Sequence, residues 1–208
     1  MKTEQDYIKD ITEIRSMMER STRFLSLTGW SGILAGVYAL IGAGIAYMVF
    51  YTDDVMLRYN TIGREEAGDV MIPFFLLAAV VLIFALSTAV LLSWRKARKN
   101  KEVLWNAAAR RLVINLAIPL VTGGVFAFIL YSKGYIGLIA PVTLIFYGLA
   151  LLNASKFTFE EVRYFGVIEI VLGLIATWFI GYGLLFWAVG FGIMHIVYGI
   201  YMHLKYER

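Results

Sequence analysis

The sequence predicts an all-α integral membrane protein: a six-transmembrane-helix bundle of three hairpins, with the N and C termini cytoplasmic. Three observations predict it. The composition is 60% hydrophobic and 16% charged, against about half apolar and roughly a quarter charged in soluble domains. Apolar stretches long enough to cross a hydrocarbon core of about 30 Å alternate with short polar connections. Sixteen of the nineteen Lys and Arg fall on one side of that alternation, leaving Arg58, Arg64 and Lys133 for the other. Such a bias marks the cytoplasmic face. It also accounts for the net charge of +4 without invoking nucleic acid, which is not expected as a partner. The expected residence is a cell membrane, multi-pass, of the bacterial inner-membrane kind.

Residues 1–23 precede the membrane domain of 24–204. Ile8, Ile11, Ile14 and Met18 recur at helical spacing among charges of both signs, the pattern of an exposed amphipathic helix. It is read as a cytoplasmic helix resting on the bundle or the lipid. A sharper reading makes residues 3–23 a docking helix for a protein partner or a second protomer. A signal peptide would begin with an excess of positive charge and end at a small-residue cleavage site, so the first span is expected to stay as an uncleaved anchor.

Span one, 24–51, carries no charge, and its Gly29, Gly32, Gly36 and Ala43 share one side. Small residues let helix backbones approach closely in lipid, so this side is expected to be a packing face. Residues 52–69 are acidic and are read as an outer loop without the ligand spacing of a calcium site. Span two, 70–94, is expected to hold Pro73 in its first turn, where a missing N–H is tolerated. A basic loop follows, with Arg95, Lys96, Arg98, Lys99, Lys101, Arg110 and Arg111 between Trp94 and Trp105. Aromatic rings suit the headgroup level and these cations suit an anionic inner leaflet.

Span three, 112–131, contains Pro119, which removes a backbone hydrogen bond that a neighbour must restore. Asn115, one turn in, is expected to cap a neighbour or line a polar pocket. Lys133-Gly134 makes a turn into span four, 135–152. In the next connection Thr158-x-x-Glu161 has the spacing of a capping box for the fifth helix. From Ile170 to Leu204 no Asp, Glu, Lys or Arg occurs for 35 residues. A single helix of that length would run roughly 50 Å, so a break is expected at Gly181-Tyr182-Gly183. It separates span five, 162–180, from span six, 183–204. Residues 205–208 form the cytoplasmic tail.

Glu169 and His195 are the two ionisable side chains placed deep in the last hairpin. A group of that kind in lipid costs at least a few kcal/mol unless paired or hydrated. Each lies 12 to 14 residues from the break, which puts the two at similar depth on adjacent helices. With Asn115 they form the candidate intramembrane polar site. Three readings compete: a buried polar pair that sets register, a proton- or ion-handling site, and a ligand or metal site. Met-His-x-x-Tyr occurs at 194–198 and again at 202–206. Its histidines, eight residues or roughly 12 Å apart along one helix, cannot share a metal, so neither metal nor cofactor is expected.

No hydrolase, metalloprotease or P-loop motif occurs, and an enzyme is not expected. Two functions remain. One is a small channel- or transporter-like bundle using Glu169 and His195. The other is a membrane-anchored regulatory or scaffold protein acting through its N-terminal helix and the basic 95–111 loop. A water-filled cavity at the pair favours the first. A dry pair with an exposed apolar stripe at Ile8, Ile11, Ile14 and Met18 favours the second.

Overall fold

The structure, a computed structural model, describes Ile8, Ile11, residues 23–50 and residues 64–208. Ile8 and Ile11 are helical and exposed. Arg23, at the end of the expected 3–23 helix, is not helical; the remaining residues of that helix, and the loop from 51 to 63, lie outside the described residues.

Among those residues no strand occurs and six long helices do. They are α1 (Gly29–Phe50), α2 (Arg64–Lys99), α3 (Ala107–Ser132), α4 (Ile139–Ala154), α5 (Glu161–Trp178) and α6 (Gly183–Tyr206). Short 3-10 turns, Ile136–Leu138 and Ser155–Phe157, flank α4. Five helices are long and apolar enough to cross a membrane; α5 is the exception. Its 18 residues carry three charged side chains, Glu161, Arg163 and Glu169.

Several expected boundaries shift for identifiable reasons. Phe24–Thr28 is not helical, because tertiary partners take its backbone groups. Phe24 N–H donates to the Phe157 carbonyl at 2.7 Å, Thr158 Oγ1 donates to the Phe24 carbonyl at 2.8 Å, and Lys96 Nζ donates to the Leu27 carbonyl at 2.7 Å. Thr158 is therefore not the cap of α5, whose N-cap is Glu160 without a side-chain bond.

At the start of α2, helix replaces the expected loop from Arg64 onward. The helix runs 36 residues, roughly 54 Å at 1.5 Å per residue. Pro73 thus sits inside the helix rather than in its first turn. Arg95, Lys96, Arg98 and Lys99 end this helix instead of forming a loop. Arg110 and Arg111 lie in the first turns of α3, which starts early because Asn106 Oδ1 accepts from Ala109 N–H at 2.8 Å. Of the seven basic residues only Lys96 turns inward; the others are exposed.

The break before α6 is where the glycines place it, with Gly181 at φ +107°, a conformation that side chains disfavour. The turn at Gly134, φ +83°, is built the same way.

Two close-packed seams choose each helix's neighbours. In one, α1 lies on α6: a Cβ at Gly36 would stand 2.5 Å from the Gly192 carbonyl oxygen. In the other, α4 lies on α5: a Cβ at Gly148 would stand 2.5 Å from the Gly166 carbonyl oxygen. Approach this close requires glycine. α2 packs on α1, and α3 packs on α4.

At one end of the bundle the start of α1, the end of α2 and the end of α6 are tied by Glu207. Its Oε1 accepts from Gly29 N–H at 3.0 Å and lies 3.4 Å from Lys96 Nζ; Oε2 stands 2.7 Å from His203 Nδ1. Burial pushes the Glu207 pKa upward, but the His203, Gly29 and Lys96 contacts outweigh it and hold the carboxyl below its ordinary value. Apolar clusters join the remaining helix ends there: Phe24 with Ala108 and Ala154, and Phe159 with Val162 and Met202.

α3 continues through Pro119. Proline there leaves the carbonyl of residue 115 without its helical donor, and Asn153 Nδ2 on α4 supplies one to Asn115 O at 3.0 Å. Asn153→Leu should therefore cost about 1–2 kcal/mol. In a Pro119→Ala background, where the helix can close its own bond, the same change should cost under about 0.5 kcal/mol. Unfolding in denaturing detergent measures both, and equal costs in the two backgrounds would refute the assignment.

Candidate functional site

Glu169 is the ninth residue of α5, midway along its 18. Its side chain is 0% exposed, and neither carboxyl oxygen has a hydrogen-bond partner. Opposite it, α6 is π-helical over Ala188–Met194. Widened turns of this kind often coincide with functional sites, and here the turn contains Gly190. A Cβ at Gly190 would come within 2.6 Å of Glu169 Oε2 and 2.5 Å of Leu144. The glycine leaves the space in which the carboxyl lies.

His195, 8% exposed, uses both ring nitrogens. Nδ1 is 3.1 Å from the Gly190 carbonyl oxygen, and Nε2 is 2.6 Å from Tyr147 Oη on α4. A carbonyl can only accept, so Nδ1 carries the proton. In the neutral ring Nε2 is then the acceptor and the Tyr147 hydroxyl donates to it. Aromatic rings enclose the imidazole: Tyr147 stacks on it with centroids 5.3 Å apart, Phe191 at 5.9 Å, and Phe165 meets it edge-on at 4.8 Å.

Glu169 and His195 are thus brought to one residue without bonding each other. The carboxyl lies against Gly190 and the imidazole holds the carbonyl of the same residue. His195 is five residues further along α6, about a turn and a half, and reaches back because helical side chains tilt toward the N-terminus. Counting residues from the break put the two at equal depth and missed that offset.

Asn115 stands apart from this site. Its Nδ2 donates to Arg111 O on its own helix at 2.8 Å, and its carbonyl takes the bond from Asn153. Of the second Met-His repeat, His203 contacts Glu207 and the Trp30 ring, while Met202 is in the core. Among the described residues no cluster of three His, Cys, Asp or Glu could hold a metal.

Sequence reasoning missed Tyr147, the direct partner of the histidine. A tyrosine in an apolar span gives no periodic signal, and α4 is not the hairpin partner of α6. The seams explain the placement. Gly166 and Gly173 of α5 pack on α4, where they meet Gly148 and Pro141, and Gly192 and Gly199 of α6 pack on α1. α4 is therefore held beside the site along with the last two helices.

A chain of polar groups thus runs from Tyr147 through His195 to Gly190, with an unpartnered carboxyl at its end. Such an arrangement holds the imidazole neutral with its proton on Nδ1, since the Gly190 carbonyl accepts a hydrogen bond but cannot take the proton. It can also neutralise Glu169 only by a proton or by a cation that reaches it, since an ionised carboxylate left alone there is costly. No protein-family model matches the chain, and comparisons with curated proteins and with solved structures give no match.

Nitrogen-15 spectra of labelled protein should show His195 protonated at Nδ1 and bare at Nε2. Tyr147→Phe should keep that tautomer, shift the Nε2 resonance and cost about 1–2 kcal/mol in stability. A proton on Nε2 would contradict the assignment.

Proposed function

We propose that the chain is a small transporter-like bundle of six spans in a bacterial inner membrane, with both termini cytoplasmic and Glu169 as its proton- or cation-accepting site. The observation that carries this reading is the Glu169 carboxyl: mid-helix, fully buried, both oxygens without a partner. A group kept only for register would be expected to find a donor, as Asn153 and Thr158 do elsewhere in the bundle. The packing around it supports an occluded, alternating site rather than an open channel. In this reading α5 also crosses, as span five, and the exposed cations at 95–111 face an anionic inner leaflet.

The exposed helical Ile8 and Ile11, 59% and 65% accessible, favour the second reading, a membrane-anchored regulatory or scaffold protein that engages a partner through residues 3–23. Glu169 packed without exposed surface is the arrangement this second reading expects, whereas a water-filled cavity beside the pair is the mark of the first. Ion movement separates the two.

Protein in vesicles with a trapped pH dye should pass protons under an imposed potential faster than empty vesicles, and Glu169→Gln should remove most of the excess. Flux at the level of empty vesicles, or unchanged in a folded Glu169→Gln protein, leaves the anchored role. Topology is separately accessible because the chain has no cysteine. Cysteines placed singly at Lys101, Lys133, Lys156 and Tyr182 should react with an impermeant maleimide from outside only at 133 and 182. Labelling of 156 and 182 from the same side would show that α5 does not cross.

A further inference from the structure

Elsewhere in this chain a carboxylate drawn into the bundle is given a cation. The Glu207 and Glu161 side chains are 15% and 13% exposed. Glu207 lies against Lys96 and His203 and accepts from Gly29 N–H. Glu161, which with Tyr198 borders a cleft between the start of α5 and the end of α6, accepts on Oε1 from Lys205 Nζ and, at 2.8 Å, from Tyr206 Oη. Glu169 is eight residues further along α5, roughly 12 Å inward. It is more deeply buried than either and has neither cation nor donor.

The titratable groups on the helices packed around it are committed elsewhere. On α4, the Tyr147 hydroxyl donates to His195 Nε2. On α6, His195 gives its proton on Nδ1 to the Gly190 carbonyl, so the ring is neutral and offers Glu169 no charge. Tyr198 stacks on Phe165, a turn before Glu169, and its hydroxyl makes no bond to the carboxyl. Arg163, on α5 itself, is exposed. Neutralisation therefore comes from outside the chain.

The surroundings select what can arrive. A metal cation gives up its water only for a shell of oxygens, about six for Mg²⁺, more for Ca²⁺, and rings of carbonyls for an alkali ion. Here the space left by Gly190, into which Glu169 Oε2 projects, is otherwise bounded by the Leu144 and Leu172 side chains. The Gly190 carbonyl already accepts from His195. One carboxylate with one shared carbonyl is not a coordination shell, and the fully buried carboxyl leaves no surface for a hydrated ion. A proton needs neither ligands nor volume.

We propose that the ligand of Glu169 is a proton, held as the neutral carboxylic acid, and that metal cations are excluded from the site. Uptake forms one O–H bond from a hydronium ion, which leaves as water. Resting on the reading of Glu169 as the accepting site, this narrows its ligand: an ion carried by the bundle is H⁺.

Infrared spectra of the purified full-length protein in maltoside micelles at neutral pH test it, in choline chloride and then in NaCl, KCl and CaCl₂ at equal ionic strength. The C=O band of a protonated carboxyl should be present, shift in D₂O, keep its intensity in every salt and vanish in Glu169→Gln. Glutamine has the shape of the neutral acid, so that variant should keep the wild-type thermal midpoint. The wild-type midpoint should also be the same in all four salts, because a cation bound to the folded state would raise it by mass action. A wild-type spectrum without the acid band overturns the proposal. So does a band that persists in Glu169→Gln, or one that Na⁺, K⁺ or Ca²⁺ removes while raising the midpoint. Vesicle flux is a separate readout. Flux at the level of empty vesicles with the acid band in place retires the transport reading and leaves the proton on Glu169. Flux that Glu169→Gln abolishes, together with a band that sodium removes, does the reverse.

Discussion

Lipid offers no hydrogen-bond partner, so every polar group inside this bundle depends on another part of the chain. The carbonyl orphaned by Pro119 is met by Asn153 from the adjacent helix, and Phe24–Thr28, which is not helical, is held by Phe157, Thr158 and Lys96. The imidazole of His195 is met on both sides, by Gly190 and Tyr147. Against that regularity the exceptions carry information. Glu169 and, at the cleft, Glu161 Oε2 and Tyr198 Oη are the buried side-chain oxygens left without partners among the described residues. The two places lie along the same helices, α5 and α6.

Close approach decides which polar groups can meet. The glycine seams draw α1 onto α6 and α4 onto α5, so the last hairpin is flanked on each side by a helix from elsewhere in the chain. Gly190 has a different role. Its missing side chain admits the Glu169 carboxyl, and its carbonyl fixes the imidazole, inside a turn wound more widely than an α-helix. Alanine at 190 would meet Leu144 and Glu169 at once.

Much of the architecture is legible in residue order. The packing face of span one, the break at Gly181-Tyr182-Gly183, the turn at Gly134 and the burial of Glu169 and His195 all follow from charge, length and small-residue spacing. Where expectation and structure part, a non-local contact has outcompeted a local signal. Thr158 has the spacing of a cap but bonds Phe24, 134 residues away in sequence. The basic cluster reads as a loop because its charges are contiguous, yet helix persists through Lys99, and the cap at Asn106 starts α3 before the arginines.

The sequence by itself determined that this is a helical membrane protein, where its chain turns, and which two ionisable side chains are buried deepest, because burial in lipid is paid for residue by residue and shows in composition. Only the tertiary structure decided who meets whom. Glycine spacing marks a surface for close contact without naming the helix that occupies it, and a tyrosine in an apolar helix looks the same whether it faces lipid or an imidazole. Tyr147 beside His195, the unpartnered Glu169 against Gly190, and the cleft at Glu161 exist because of three-dimensional neighbours that no one-dimensional pattern specifies.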